Sequence, residues 1–135
     1  MAKDKRGGRS LRKNPYNEYE TIGTANNGSI KVIKPRPGTS NTGVPLFSNS
    51  KNTTYFVAKE VDGVTKVKSI AVYRNRQLIQ NIDIDPKKGN HYHKWQAEDV
   101  RGKSKIVRDK KHFYNLSAAQ QKLLNMAVNW NNGGK

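Results

Sequence analysis

The chain predicts an α+β domain: a twisted antiparallel β-sheet, a meander of four or more strands, with a C-terminal helix packed on one face and a basic, flexible N-terminal arm. Three observations carry this. Residues 53–95 alternate apolar and polar side chains between tight-turn dipeptides, the pattern of strands joined as hairpins. Residues 117–129 change to helical spacing behind a capping-box sequence. Residues 1–13 hold six basic residues and one acid among glycines and serine, a composition that stays solvated. With 135 residues there is room for one ordinary domain, so we place the arm at 1–25 and a single domain at 26–132. Only 33% of residues are apolar, and the core should be small.

In chain order, Pro15 opens one short helical turn that ends before Gly23. Residues 29–34 form one short edge strand inside an extended connection, because Pro35 and Pro37 lack the amides a central ladder needs. Residues 44–47 are a short apolar anchor for that connection. Residues 53–61 are the first strong strand, rich in β-branched and aromatic side chains. Asp62 and Gly63 supply a positive-φ turn, and residues 64–73 return as the second strand. Asn75 and Arg76 make the next turn, residues 77–85 the third strand, residues 86–90 a loop and residues 91–95 the fourth strand. The buried face draws on Tyr55, Val57, Val72, Leu78, Ile82 and Ile84. Residues 96–105 are polar and basic, a loop by composition, and residues 105–108 begin a last short strand. Ser117 caps a helix running to about residue 129, whose stripe of Leu123, Leu124, Ala127 and Val128 covers the back of the sheet.

Lysine and arginine number 26 against 10 acids, a net charge of +16. A fold does not need that excess, and self-repulsion opposes it, so a polyanionic partner is expected, with nucleic acid, in particular RNA, first. A membrane surface would call for an amphipathic helix with a basic face, and the one helix is poor in charge. The basic start has no apolar run behind it and no stretch approaches a membrane span, which predicts no signal peptide, no membrane partner and a cytoplasmic protein, one associated with a virion or one delivered into a target cell. The absence of cysteine excludes disulfides, thiolate metal sites and a cysteine nucleophile. Walker, GxSxG and GxGxxG motifs are missing, which argues against nucleotide hydrolysis and acyl transfer.

The chemistry concentrates in residues 80–95. With the loop at 86–90, the simplest register sets Asp85 opposite His91 and Asp83 opposite His93, all on one face, while Ile82, Ile84 and Tyr92 turn to the other. Attack of a ribose 2′-hydroxyl on its own phosphate needs a base, an acid and a cation, and no metal or cofactor. Imidazoles suit both proton-transfer roles near neutrality. The catalytic candidates are therefore His91, His93 and the distant His112, steadied by Asp83 and Asp85. Nucleic-acid binding falls to Lys94, Trp95, Arg101, Lys103, Lys105, Arg108, Lys110, Lys111 and Tyr114, a strip that neutralises phosphates while a ring stacks on an unpaired base. Core packing is the competing role for Trp95 and Phe113. Two alternatives use the same residues: a metallonuclease in which Asp83, Asp85 or His112 completes a site begun by His91 and His93, or a non-catalytic basic nucleic-acid-binding protein of a phage or mobile element.

The run from Arg76 to Asp85, a short loop, His91, Tyr92, His93 and Trp95, a basic segment and the terminal helix together resemble the C-terminal modules of bacterial polymorphic toxins and some phage minor head proteins. Those modules belong with the barnase, EndoU and RelE-like ribonuclease group. The resemblance covers residues 73–130 and implies a ribonuclease-like domain acting on RNA through His91 and His93, met in a toxin setting by an immunity protein. The loop here, Pro86 to Asn90, departs from the histidine- and glycine-rich loop common in such modules.

Overall fold

The computed structural model describes residues 19–37 and 44–133. The basic arm, apart from its last residues, lies outside them. Among the described residues seven strands follow one another across the sheet in chain order: β1 Tyr19–Ala25, β2 Ile30–Pro35, β3 Thr53–Val61, β4 Val64–Arg74, β5 Gln77–Asp83, β6 His91–Val100 and β7 Lys103–Arg108. Among the described residues one helix, α1 Ala118–Asn131, follows them. Every neighbouring pair is antiparallel except β2 and β3, which run parallel.

The first strand corrects two expectations. Of the arm and of the helical turn expected after Pro15, only residues 19–25 fall among those described, and these form β1, buried at both ends by Tyr19 and Ala25. Thr21, Ile22 and Thr24 favour the extended chain, and Asn26 and Asn27 accept positive φ in the turn to β2. Gly23 has a packing reason: a Cβ there would come within 3.3 Å of the Trp130 ring. With β1 on its flank, β2 is an interior strand and not an edge, and Pro35 is tolerated because it closes the strand.

The parallel step from β2 to β3 needs a crossing connection, and its second half is fastened to the sheet as expected of residues 44–47. Leu78 donates its amide to the Leu46 carbonyl at 3.0 Å, the Tyr73 hydroxyl donates to the Pro45 carbonyl at 2.6 Å, and Ser48 and Tyr55 share a buried hydrogen bond of 2.8 Å. Three tight turns each carry positive φ at both central residues, Asp62 with Gly63, Asn75 with Arg76, and Arg101 with Gly102. The last of these overturns the loop assigned to residues 96–105: β6 runs on to Val100 and returns as β7. Its residues look loop-like in sequence because most of this hairpin is exposed. β6 pairs with β5 only over His91–Lys94 and with β7 from Trp95 onward, so the β6–β7 hairpin continues beyond the pairing with β5.

The sheet is buried on both faces. Val32, Phe56, Ile70 and Ile82 meet Leu124 and Ala127 of α1 on one, while Tyr19, Ile33, Tyr55, Val57, Ala71, Tyr73 and Leu78 form a second cluster with Val44 and Leu46. The single buried face expected from sequence is thus divided, with Tyr55, Val57 and Leu78 on the second face and Ile82 and Ile84 on the helix face. Bulges at Val57/Ala58 and Val72/Tyr73 break the strict alternation that a single face assumes. In α1, Ser117 and Gln120 close the capping box with bonds of 3.1 and 2.8 Å, and Val128 faces outward rather than joining the stripe. The Asn131 amide ties the far end of α1 to both backbone groups of Val67, at 2.6 and 3.1 Å.

Candidate functional site

The register of β5 with β6 places Asp83 opposite His91 and Asn81 opposite His93. That is two residues away from the expected pairing, because the strands stop at Asp83 and His91 and the connection takes all of residues 84–90. A slip of two keeps every side chain on its face, so Asp83, His91 and His93 still project together while Tyr92 joins the helix-side core. Asp85 is lost to the site. Its carboxylate accepts the amides of Lys87 and Lys88, each at 3.0 Å, and so builds the loop. The Lys88 amide is the main reason its pKa is held below the usual carboxylate value.

His112 arrives through a single backbone bridge. The Tyr92 amide donates to the Phe113 carbonyl at 2.8 Å, and the Phe113 amide donates to the Tyr92 carbonyl at 3.0 Å. Strand alternation around that bridge sets His112 beside His93 and Tyr114 beside His91, on the face opposite Phe113. Three imidazoles consequently form a triangle with centroids 4.9 Å (His91–His93), 4.8 Å (His91–His112) and 4.6 Å (His93–His112) apart. One nitrogen of each lies within 4.8 Å of one of each of the others. His91 and His93 are buried, His112 is exposed, and Tyr114, with its ring 5.3 Å from that of His91, is half exposed.

Asp83 organises this triangle. Its Oδ2 accepts from His93 Nε2 at 3.0 Å and lies 3.5 Å from His91 Nε2; its Oδ1 accepts from Ser69 Oγ at 3.0 Å and Asn81 Nδ2 at 2.8 Å. Asn81 in turn accepts the Trp95 indole N–H at 2.7 Å. A carbonyl only accepts, so His91 Nδ1, 2.8 Å from the Gly89 oxygen, is the protonated nitrogen, and a neutral His91 ring carries its lone pair on Nε2. By the same reasoning a neutral His93, donating through Nε2 to Asp83, keeps its lone pair on Nδ1, which is buried and has no hydrogen-bond partner among the described residues. Burial pushes the His93 pKa below the usual imidazole value; Arg108 and His112 act in the same direction, and Asp83 opposes them.

Asp83 also borders an open depression of about 290 Å³ lined by Lys59, Lys68 and Arg108 together with Trp95, Ser69 and Asn81. Three cations, an indole and one carboxylate suit a phosphate with an attached ring system. Sequence reasoning named Trp95 and Arg108 but missed Lys59, Lys68, Ser69 and Asn81. Little in the sequence signals them: Ser69 stands between Lys68 and Ile70, and Asn81 between Gln80 and Ile82, in strands that mix polar and apolar residues.

The expected basic strip is split. Trp95 and Arg108 pair on β6 and β7 on the histidine face, whereas Lys94, Lys103 and Lys105 alternate to the opposite side. Lys94 there caps the Phe113 ring at 4.6 Å, and that ring stacks on Tyr92, the packing role weighed for Phe113. Arg101 occupies the hairpin turn, and Lys110 and Lys111 lie exposed between β7 and His112. No helix among the described residues is long and apolar enough to cross a membrane. Comparisons with protein-family models, curated proteins and solved structures found no match.

Proposed function

We propose that the protein is a ribonuclease, cleaving RNA by histidine acid–base chemistry without a metal. The observation that supports it is the convergence of His112, from beyond β7, on the pair His91 and His93 over one shared carboxylate. A base, an acid and a fixed anion are assembled beside a cationic depression on a chain of net charge +16. In the reaction the 2′-oxygen bonds to phosphorus as its proton passes to a neutral imidazole. The P–O5′ bond breaks as a protonated imidazole gives its proton to the leaving oxygen. His112, the exposed member, meets the substrate with His91 as its partner. Asp83 and His93 position that pair, while Arg108, Lys59 and Lys68 stabilise the negative phosphorane. The resemblance to toxin and phage head modules points the same way, and in a toxin setting an immunity protein would cover this surface.

Burial of His91 and His93, at 4% and 2% exposure, favours a competing reading, a basic protein that binds nucleic acid and cleaves nothing. Labelled RNA incubated in EDTA with wild type and with the alanine variants of His91, His93 and His112 separates the two. Cleavage lost in the His91 and His112 variants supports the ribonuclease. Salt-sensitive binding with no cleavage by wild type supports the binding protein.

A further inference from the structure

We propose that His91, His93 and His112 also form a binding site for a divalent transition-metal ion of the zinc type, and that the ion, when bound, switches off acid–base cleavage. Ion binding stands on geometry alone; its effect on cleavage rests on the proposed function.

Three features of the triangle point to an ion. One nitrogen of each ring lies within 4.8 Å of one nitrogen of each of the others. Ligands at about 2.0–2.1 Å from zinc stand about 3.3 Å apart in a tetrahedron, so the rings must close in. His112 is the exposed member, with the most room to move.

The second feature is tautomer control. Gly89 holds a proton on His91 Nδ1 and Asp83 holds one on His93 Nε2, which leaves one lone pair on each neutral ring. Histidines that bind metals donate their other N–H to a carboxylate or a backbone carbonyl in this way. Here one ring has the carboxylate and its neighbour the carbonyl.

The third is His93 Nδ1 itself, buried in a ring 4.6 Å from His112 and without a hydrogen-bond partner among the described residues. A buried acceptor left unpaired is costly, and an ion satisfies it. The high net charge opposes a cation at long range, but Asp83 is in contact with two of the three ligands and offsets it locally. A bound ion occupies the lone pairs that a general base needs, so cleavage and loading exclude each other.

The test is calorimetric titration of the full chain, stripped with chelator, with ZnCl₂ at neutral pH. One ion per chain is expected, with affinity lowered about 10–100-fold in Asp83→Asn, as for other outer-shell partners, and more in His112→Ala. Because His112 is exposed, its variant tests the site without disturbing the core. Absence of saturable binding, or equal binding by His112→Ala, overturns the proposal. Zinc binding as described with no RNA cleavage in EDTA leaves the ion site standing and removes the ribonuclease. Cleavage in EDTA that saturating zinc does not inhibit removes the switch.

Discussion

Tyr92 and Phe113 exchange both of their backbone hydrogen bonds, and that one bridge determines whether the third histidine belongs to the site. The Asp109 amide also donates to the Lys94 carbonyl at 2.8 Å, but the bridge sets the register next to His112. With it, His112 comes to rest on His93, 19 positions away in sequence.

Phe113→Pro removes the amide that donates to Tyr92 and the ring that stacks on it. We expect RNA cleavage to fall by about 100-fold or more, as for loss of a positioned acid–base group. The sheet should persist, with a thermal midpoint lowered by only several degrees. Circular dichroism and a cleavage time course measure both.

Asp83 and Asp85 separate the site from its loop. Asp83→Asn keeps the shape but turns an acceptor of four polar contacts into a group that also donates, against His93 Nε2 or against Ser69 and Asn81. Cleavage should fall by about 100-fold and stability by about 1–3 kcal/mol, the cost of mispaired buried groups. Asp85→Asn, with an oxygen still able to accept from Lys87 and Lys88, should stay near wild type in the same assay.

His93 predicts a pH dependence of stability. Its pKa is depressed in the folded protein, chiefly by burial, against about 6.5 in the unfolded chain. In the interval between the two values the unfolded chain binds a proton that the folded protein does not. The stabilisation is therefore complete above about pH 6.5 and is lost as pH falls through the folded value. Thermal midpoints recorded in EDTA should decline over that interval, and less steeply in His93→Asn.

The depression beside Asp83 predicts a division among the basic residues. Arg108→Ala should weaken RNA binding and lower the salt dependence by about 0.7 in the log–log slope, one phosphate contact on a single strand, and should slow cleavage as well. Lys103→Ala, on the opposite side of the β6–β7 hairpin, should leave the cleavage rate of bound RNA unchanged. Filter binding across a salt series, with single-turnover rates, distinguishes them.

Much of this was legible in the sequence, and the parts that were not share a cause. Turn chemistry fixed the hairpins at Asp62–Gly63 and Asn75–Arg76, and the capping box fixed α1, because each is decided by residues a few positions apart. The shared face of Asp83, His91 and His93 survived a register error of two, since side-chain direction repeats with that period. The meeting of His112 with that face rests on one bridge in a segment with no strand pattern of its own. β1 and the part of the β6–β7 hairpin over residues 96–104 were missed, because exposed strands carry little apolar alternation to read, whereas the strands expected at 91–95 and 105–108 lie within β6 and β7. Leu78 and Ile82, expected on one face, lie on opposite ones because the register shifts between Val72 and Tyr73, which local sequence does not announce.

The most direct measurement is the chemistry of the new ends in RNA incubated with the protein in EDTA. Attack by the neighbouring 2′-oxygen, run by His112 with His91, predicts 2′,3′-cyclic phosphate termini from wild type and almost none from His112→Ala, with RNA binding retained. Termini bearing 5′-phosphate, or equal cleavage by the variant, would contradict it.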